Sequence, residues 1–228
     1  MTTPMPVPAR PSASVVVVRD GVESLEVLLV RRNENIAFHG GAWVFPGGRV
    51  DDGDSLPGGT ASEMDIARRT AVREALEETG LTLGEQSMLP FAHWTTPVDL
   101  PKRFATWFFA VILEEPAEVR VDNSEIVDYC WMTPAAALAR QRTGELNLPA
   151  PTFVTLLNFE SISSGEALTA HLRGVEIQRF LPRLVPIDDG RCTLYQEDAG
   201  YEAGDFAVPG PRHRLVMQGN DWQYLRDF

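Results

Sequence analysis

The stretch Arg73-Glu74-Ala75-Leu76-Glu77-Glu78-Thr79-Gly80-Leu81 decides the reading of this chain. Ser62 to Thr79 has the signature of a helix, with Ser62 as N-cap, Asp65 three residues on, and Gly80 where a left-handed C-terminal cap belongs. At about 100° per residue, Val72 and Leu76 share the side opposite Glu74, Glu77 and Glu78. Those three glutamates stand at i, i+3 and i+4, where like charges destabilise a helix by a few tenths of a kcal/mol per pair. Glu77 and Glu78 also occupy the last turn, which the negative end of the helix dipole makes unfavourable for anions. Within the helix only Arg73 is spaced to offset them. Local rules fail most often at functional sites, and a face of hard oxygen donors short of positive charge asks for a divalent metal, Mg²⁺ or Mn²⁺.

These residues resemble the second half of the Nudix box, G-x5-E-x7-R-E-U-x-E-E-x-G-U with U apolar. All five fixed residues match at the right spacing, Leu81 fills the last apolar position and Ala75 the other. Phe45-Pro46-Gly47-Gly48 resembles the glycine turn that precedes the helix, and the likeness extends loosely over residues 14–140. The resemblance implies an α/β/α sandwich and a metal-dependent hydrolase of phosphoric anhydride bonds. It also implies Glu74 and Glu78 as principal metal ligands, Glu77 as a ligand directly or through water, the Gly47 carbonyl in the shell, and Arg73 orienting the glutamates.

The first half of the box has two registers. Gly59-x5-Asp65-x7-Arg73 keeps the spacing with Asp in place of Glu; Gly48-x5-Asp54 keeps the strand-then-glycine context but leaves eighteen residues before Arg73. The second is preferred. Ala42–Phe45 reads as an apolar strand entering the turn, and Asp65 would lie two helical turns, roughly 12 Å, from Arg73. Ser55 to Met64 is then largely an insertion.

With 228 residues, 44% of them hydrophobic and 23% charged, the chain suits one globular domain with an extension. A net charge of −12 argues against nucleic acid or anionic membrane as a partner, and no apolar run is long enough to span a bilayer. Cys130 and Cys192 make no disulfide framework, which fits a cytoplasmic setting. Residues 1–13, with prolines at 4, 6, 8 and 11, read as a disordered tail, residues 14–175 as the hydrolase domain and residues 176–228 as a C-terminal β extension. That extension could form a lid, a homodimer contact or padding. Strands are expected at Ser14–Arg19, Leu25–Arg32, Met88–Thr95, Arg103–Leu113 and Ile126–Met132. Helices are expected from Pro134 to Arg140, at Phe153–Phe159 and at Glu166–Leu172.

Around the box, Glu125 is the candidate general base, though a solvated loop glutamate is the simpler reading of it. Arg31, Arg32, Lys102 and Arg103 flank strands near the site and are candidate phosphate clamps, with Gly48 beside the substrate. His39, His93 and Trp43, Trp94 and Trp107 read as structural. Leu28-Leu29-Val30-Arg31-Arg32, followed by Gly41-x3-Phe45-Pro46-Gly47-Gly48, partly resembles the signature upstream of the box in coenzyme A diphosphatases, above all the peroxisomal branch. Ala37 stands where that signature has its second arginine. The expected partner is a small nucleoside diphosphate derivative: coenzyme A or its esters, with ADP-ribose or a dinucleotide as alternatives. A Nudix-fold sensor that binds without turnover is the reading from another class; it is disfavoured because all three glutamates stand.

Overall fold

The structure is a computed structural model that describes residues 7–55 and 61–228. The described residues build one mixed sheet of eight strands, covered on both faces, and a second sheet of four. The strands of the first are β1 (Arg10–Asp20), β2 (Leu25–Arg32), β3 (Trp43–Val44), β4 (Gly47–Arg49), β5 (Leu89–Thr95), β6 (Phe104–Ile112), β7 (Ile126–Met132) and β8 (Gln178–Phe180). Their spatial order is β3-β2-β1-β6-β5-β8, with β4 added to β1 and β7 to β2. The β1–β6 and β5–β8 pairs are parallel and the others antiparallel.

Alternation along β1 shows why both faces must be covered. Ala13, Val15 and Val17 enter one apolar cluster and Val16 and Val18 the other. Helix α1 (Glu63–Thr79) covers the first face, setting Ala67, Ala71 and Ala75 against β1 and β6. Three alanines at i, i+4 and i+8 let the helix axis approach the sheet closely. The second face is covered by α2 (Pro134–Arg142), α3 (Ala150–Phe159) and α4 (Gly165–Gly174), through Leu138, Phe153, Leu156 and Leu168. This is the expected α/β/α layering, and β6 is central as its nearly continuous apolar run predicts.

The second sheet holds β9 (Arg183–Ile187), β10 (Gly190–Leu194), β11 (His213–Gln218) and β12 (Asp221–Arg226), in the order β12-β11-β10-β9. Its Leu215 and Met217, with Tyr195 just after β10, join the same apolar cluster as α2–α4. A buried ion pair fastens it, with Arg214 Nε and Nη2 donating to the two oxygens of Asp198 at 2.7 and 2.6 Å.

Two expected boundaries move. The strand read as Ser14–Arg19 begins at Arg10, because Arg10 N–H donates to Arg103 O at 2.9 Å and the parallel ladder with β6 starts there. The proline-rich tail therefore does not extend to residue 13, and residues 1–6 lie outside the described ones. Gln178–Phe180, assigned to the extension, pairs with β5 as an edge of the main sheet, so the separate sheet starts at Arg183.

Candidate functional site

Helix α1 presents the box. Ser62 Oγ accepts from Asp65 N–H at 3.2 Å, and Gly80 closes the helix in the left-handed region at φ 71°. At the other rim of the site, the turn between β3 and β4 brings Gly47 and Gly48 against the glutamates. Gly47 N–H donates to Glu78 Oε2 at 2.9 Å. A side chain at Gly47 would run into the Ala13 carbonyl and come within 2.7 Å of Ser14 Cα, so close pairing of β4 with β1 requires glycine there. A Cβ on Gly48 would collide with the Glu74 carboxylate.

Arg73 is the hub. Its Nε and Nη2 donate to Asp54 Oδ1 and Oδ2 at 3.0 and 2.9 Å, and its Nη2 also to Arg49 O at 3.0 Å. Its Nη1 donates to Glu74 Oε1 at 2.9 Å and to Glu77 Oε2 at 3.0 Å. Asp54 is buried, and Thr70 Oγ1 donates to it at 2.9 Å. Burial works against the Asp54 anion, but hydrogen bonds from Arg73, the Asp51 backbone and Thr70 outweigh it and hold its pKa below the usual carboxylate range. Asp65 instead accepts from the Ser62 hydroxyl and from Arg68 Nη1, at 2.6 and 3.2 Å. Of the two registers, the Asp54 one has the contact with Arg73; the competing glycine, Gly59, lies outside the described residues.

The glutamates differ in environment. Glu78 is 4% exposed, and burial pushes its pKa up to about 8, against the Gly47 N–H and with the added repulsion of Glu74 and Glu125. Burial also raises Glu74, in spite of Arg73. Glu77 points outward, with its side chain 58% exposed. Among the described residues no three acidic, histidine or cysteine side chains stand together as a ready cage, because Arg73 holds Glu74 and Glu77 and the Gly47 N–H holds Glu78. The donor chemistry still fits a hard divalent ion: two carboxylates on one rigid helix, each raised by burial, repel one another and lack a full complement of positive charge.

The remaining candidates separate clearly. Arg32 Nη2 stands 3.8 Å from Glu125 Oε2, and its buried Nε has no partner among the described residues. Arg32 and Glu125 both act on the charge of Glu78, which puts them near the glutamate face. Arg103 does not fit the role of phosphate clamp. It is buried, and its Nε and Nη1 donate to the carbonyls of Thr96 and Val7 at 3.1 and 2.6 Å, tying β6 to neighbouring backbone. Lys102 lies over the Phe104 ring at 5.9 Å. Trp94 and Trp107 are buried in the apolar clusters, and Trp107 Nε1 donates to Glu63 at 3.1 Å. Two features escape the sequence reading: Thr70 as a partner of Asp54, and a turn at Asp122–Ile126 that carries Glu125. Asp122-Asn123-Ser124, a run of residues that hold turns through their side chains, is the signal that could have found the second.

Comparison with known proteins agrees with this fold. Over 125 residues the chain is 36% identical to the human acyl-coenzyme A diphosphatase NUDT19, covering 52% of this chain and 32% of that protein. It is 25% identical to the chicken protein of the same name over 223 residues, 86% of this chain and 55% of that one. The chain thus spans about a third to just over half the length of these curated relatives. Among solved structures, a NUDIX hydrolase from Alicyclobacillus acidocaldarius superposes with a TM-score of 0.64 at 23% identity, over 75% of this chain and 98% of that one, a likeness of fold. The NUDIX domain family model matches residues 8–151, and the chain belongs to the NUDIX family.

Proposed function

We propose that this chain is a metal-dependent hydrolase that cleaves the diphosphate bridge of a nucleoside diphosphate derivative, with coenzyme A or its esters as the favoured class. The observation that carries the reading is the pair Glu74 and Glu78, one partly buried and the other fully buried on one helix face, both raised in pKa and set against a glycine turn that leaves no room for a side chain. Glu74 and Glu78 would hold Mg²⁺ or Mn²⁺, with Glu77 and the Gly47 carbonyl completing the shell. Bound there, the ion supplies charge neutralisation of the phosphates and a lowered pKa for an attacking water.

The chain's own residues do the rest. Arg73, anchored on Asp54, restrains Glu74 and Glu77 in orientation. Arg32, with unused donor capacity at the rim, binds a phosphate oxygen. Glu125, whose side chain is 65% exposed beside Arg32, accepts the proton of the water. The coenzyme A preference is supported by the similarity to proteins named acyl-coenzyme A diphosphatase and by the partial upstream signature. ADP-ribose is the alternative, because Ala37 supplies no second arginine.

The test is hydrolysis of coenzyme A, acetyl-coenzyme A and ADP-ribose with Mg²⁺ or Mn²⁺ in ¹⁸O water. Coenzyme A should give a phosphopantetheine and 3′,5′-ADP, with one label on a phosphate. Label on a sugar carbon would remove anhydride hydrolysis altogether. An efficiency for ADP-ribose tenfold above that for coenzyme A, about 1.4 kcal/mol of transition-state binding, would overturn the preference alone.

A further inference from the structure

Glu125 presents a physical problem. A general base must meet its water within hydrogen-bonding distance, yet the Glu125 side chain is 65% exposed, and its ion-pair neighbour, Arg32, stands at 3.8 Å. Packing does not aim such a side chain. Its direction has to come from the backbone that carries it.

That backbone is tied from two sides. Asp122 Oδ2 accepts from the N–H groups of Ser124 and Glu125 at 3.2 and 2.9 Å, and from the Ser124 hydroxyl; its Oδ1 accepts from Ile126 N–H at 2.8 Å. From the opposite side, Asn33 N–H donates to Glu125 O at 2.8 Å and its Nδ2 to Ser124 O at 2.9 Å. Asn123 N–H closes the turn on Ile126 O at 2.9 Å, in the left-handed region at φ 59°, which asparagine tolerates. Both polar backbone groups of Ser124 and of Glu125 are therefore occupied. The turn meets β2 where the β2–β7 register shifts, between Arg31 and Arg32, an irregularity that re-aims side chains beside active sites. Burial tends to raise the Asp122 pKa, but these donors prevail and hold it below the usual carboxylate range, so the anchor is charged at neutral pH.

We propose that Asp122 is a positioning residue for the general base: with Asn33 it clamps the 123–126 turn so that the Glu125 carboxylate overhangs the Glu74–Glu78 face. The proposal rests on the reading of Glu125 as base and adds to it the device that makes an exposed carboxylate usable.

The experiment measures steady-state kinetics of the full chain with Mg²⁺ and whichever of coenzyme A and ADP-ribose it hydrolyses faster. Asp122→Ala should lower kcat about 10- to 100-fold, the scale of an ångström-level misplacement of a reacting group, and leave KM within about threefold. Asp122→Asn, which keeps one acceptor oxygen, should recover part of the loss. Asn33→Ala, which releases the turn from the other side, should repeat the effect. The decisive comparison is a Glu125→Gln background, where Asp122→Ala should cost nothing more, since there is no base left to aim. A merely structural role would give the same fractional loss in both backgrounds, and that result would overturn the proposal, as would a single variant within threefold of wild-type kcat. Should Glu125→Gln itself keep kcat within threefold of wild type, the base assignment falls and this inference with it. An inactive Glu125→Gln beside a fully active Asp122→Ala removes the inference alone.

Discussion

Glu78→Gln tests the electrostatics of the site without any substrate. Burial raises the Glu78 carboxyl from 4.5 to about 8, so between those pH values the folded chain holds a proton that the unfolded chain has released. The sign follows from linkage: a carboxyl raised on folding costs stability as pH rises through the window, at about 1.4 kcal/mol per pH unit. From pH 5 to pH 7 the expected loss from this group is roughly 2–3 kcal/mol. For a chain of this size that is roughly 5–10 °C in Tm. Glutamine cannot ionise, while its carbonyl can still accept from Gly47 N–H. Other groups titrate in the same range, notably His93 and His213, which burial lowers and which therefore act in the opposite direction. The informative quantity is thus the difference between wild type and variant, followed in EDTA by thermal or urea unfolding at pH 5, 6, 7 and 8. A buried amide N–H₂ without a partner adds a constant offset of about 1 kcal/mol or more, so the slope of the difference decides and its intercept does not. The variant should gain on the wild type steadily up to pH 8. Adding Mg²⁺ at pH 7 should then raise the wild-type Tm and leave that of the variant in place, because binding must displace the Glu78 proton. A difference that does not change with pH would refute the burial argument for Glu78.

Other perturbations separate the parts of the site. Gly48→Ala drives a Cβ into the Glu74 carboxylate and should cost about 100-fold in kcat with circular dichroism unchanged; full activity would show that Glu74 moves aside freely. Asp54→Asn breaks the pair with Arg73 and should cost about 2–3 kcal/mol at pH 7, less than the 3–5 of a fully buried pair because Arg73 is partly exposed. The folded pKa of Asp54 lies below 3.8, so that stability is present above 3.8 and is lost as pH falls through the folded pKa; the gap between wild type and variant should narrow in acid, and a gap that widened as pH fell below 3.8 would contradict the assignment. Arg103→Ala should lower stability by about 1–3 kcal/mol with kcat and KM unchanged, whereas Arg32→Ala should raise KM and leave Tm within a degree or two; exchanged outcomes would reverse the two roles.

Much of this was legible because it is local. The α1 caps, the glycine after Thr79 and the spacing of the three glutamates are set within one helix, and the structure keeps each of them. Strand β7 and the helix start after Thr133 follow in the same way from an apolar run and a proline at the first helical position. What escaped depends on where the chain returns. Arginines at strand ends look alike in sequence, yet Arg32 meets Glu125 on the turn before β7 while Arg103 meets the carbonyls of Thr96 and Val7, so partners distant in the chain decide which one faces the glutamates and which one ties backbone. Strand β8 was missed for a similar reason, since three residues carry too short a pattern and pair only because β5 offers an edge.

The register of the box shows how far reasoning from a single sequence carries. Spacing alone favoured Asp65, which matches the family interval to Arg73 residue for residue. Helix geometry opposed it: eight residues along a rigid rod separate two side chains by roughly 12 Å whatever the family interval says. Asp54 has no such constraint, because a loop of variable length joins it to the helix and its position is set by what it binds. It is buried against Thr70 and takes two hydrogen bonds from Arg73. The contact that counts is the one to the guanidinium, since Arg73 must be held at one end to restrain Glu74 and Glu77 at the other. An insertion between the two halves of the box is therefore compatible with the site so long as it leaves Asp54 on the near side and the helix intact on the far side. Distance along the chain is free to change there, and distance in space is not.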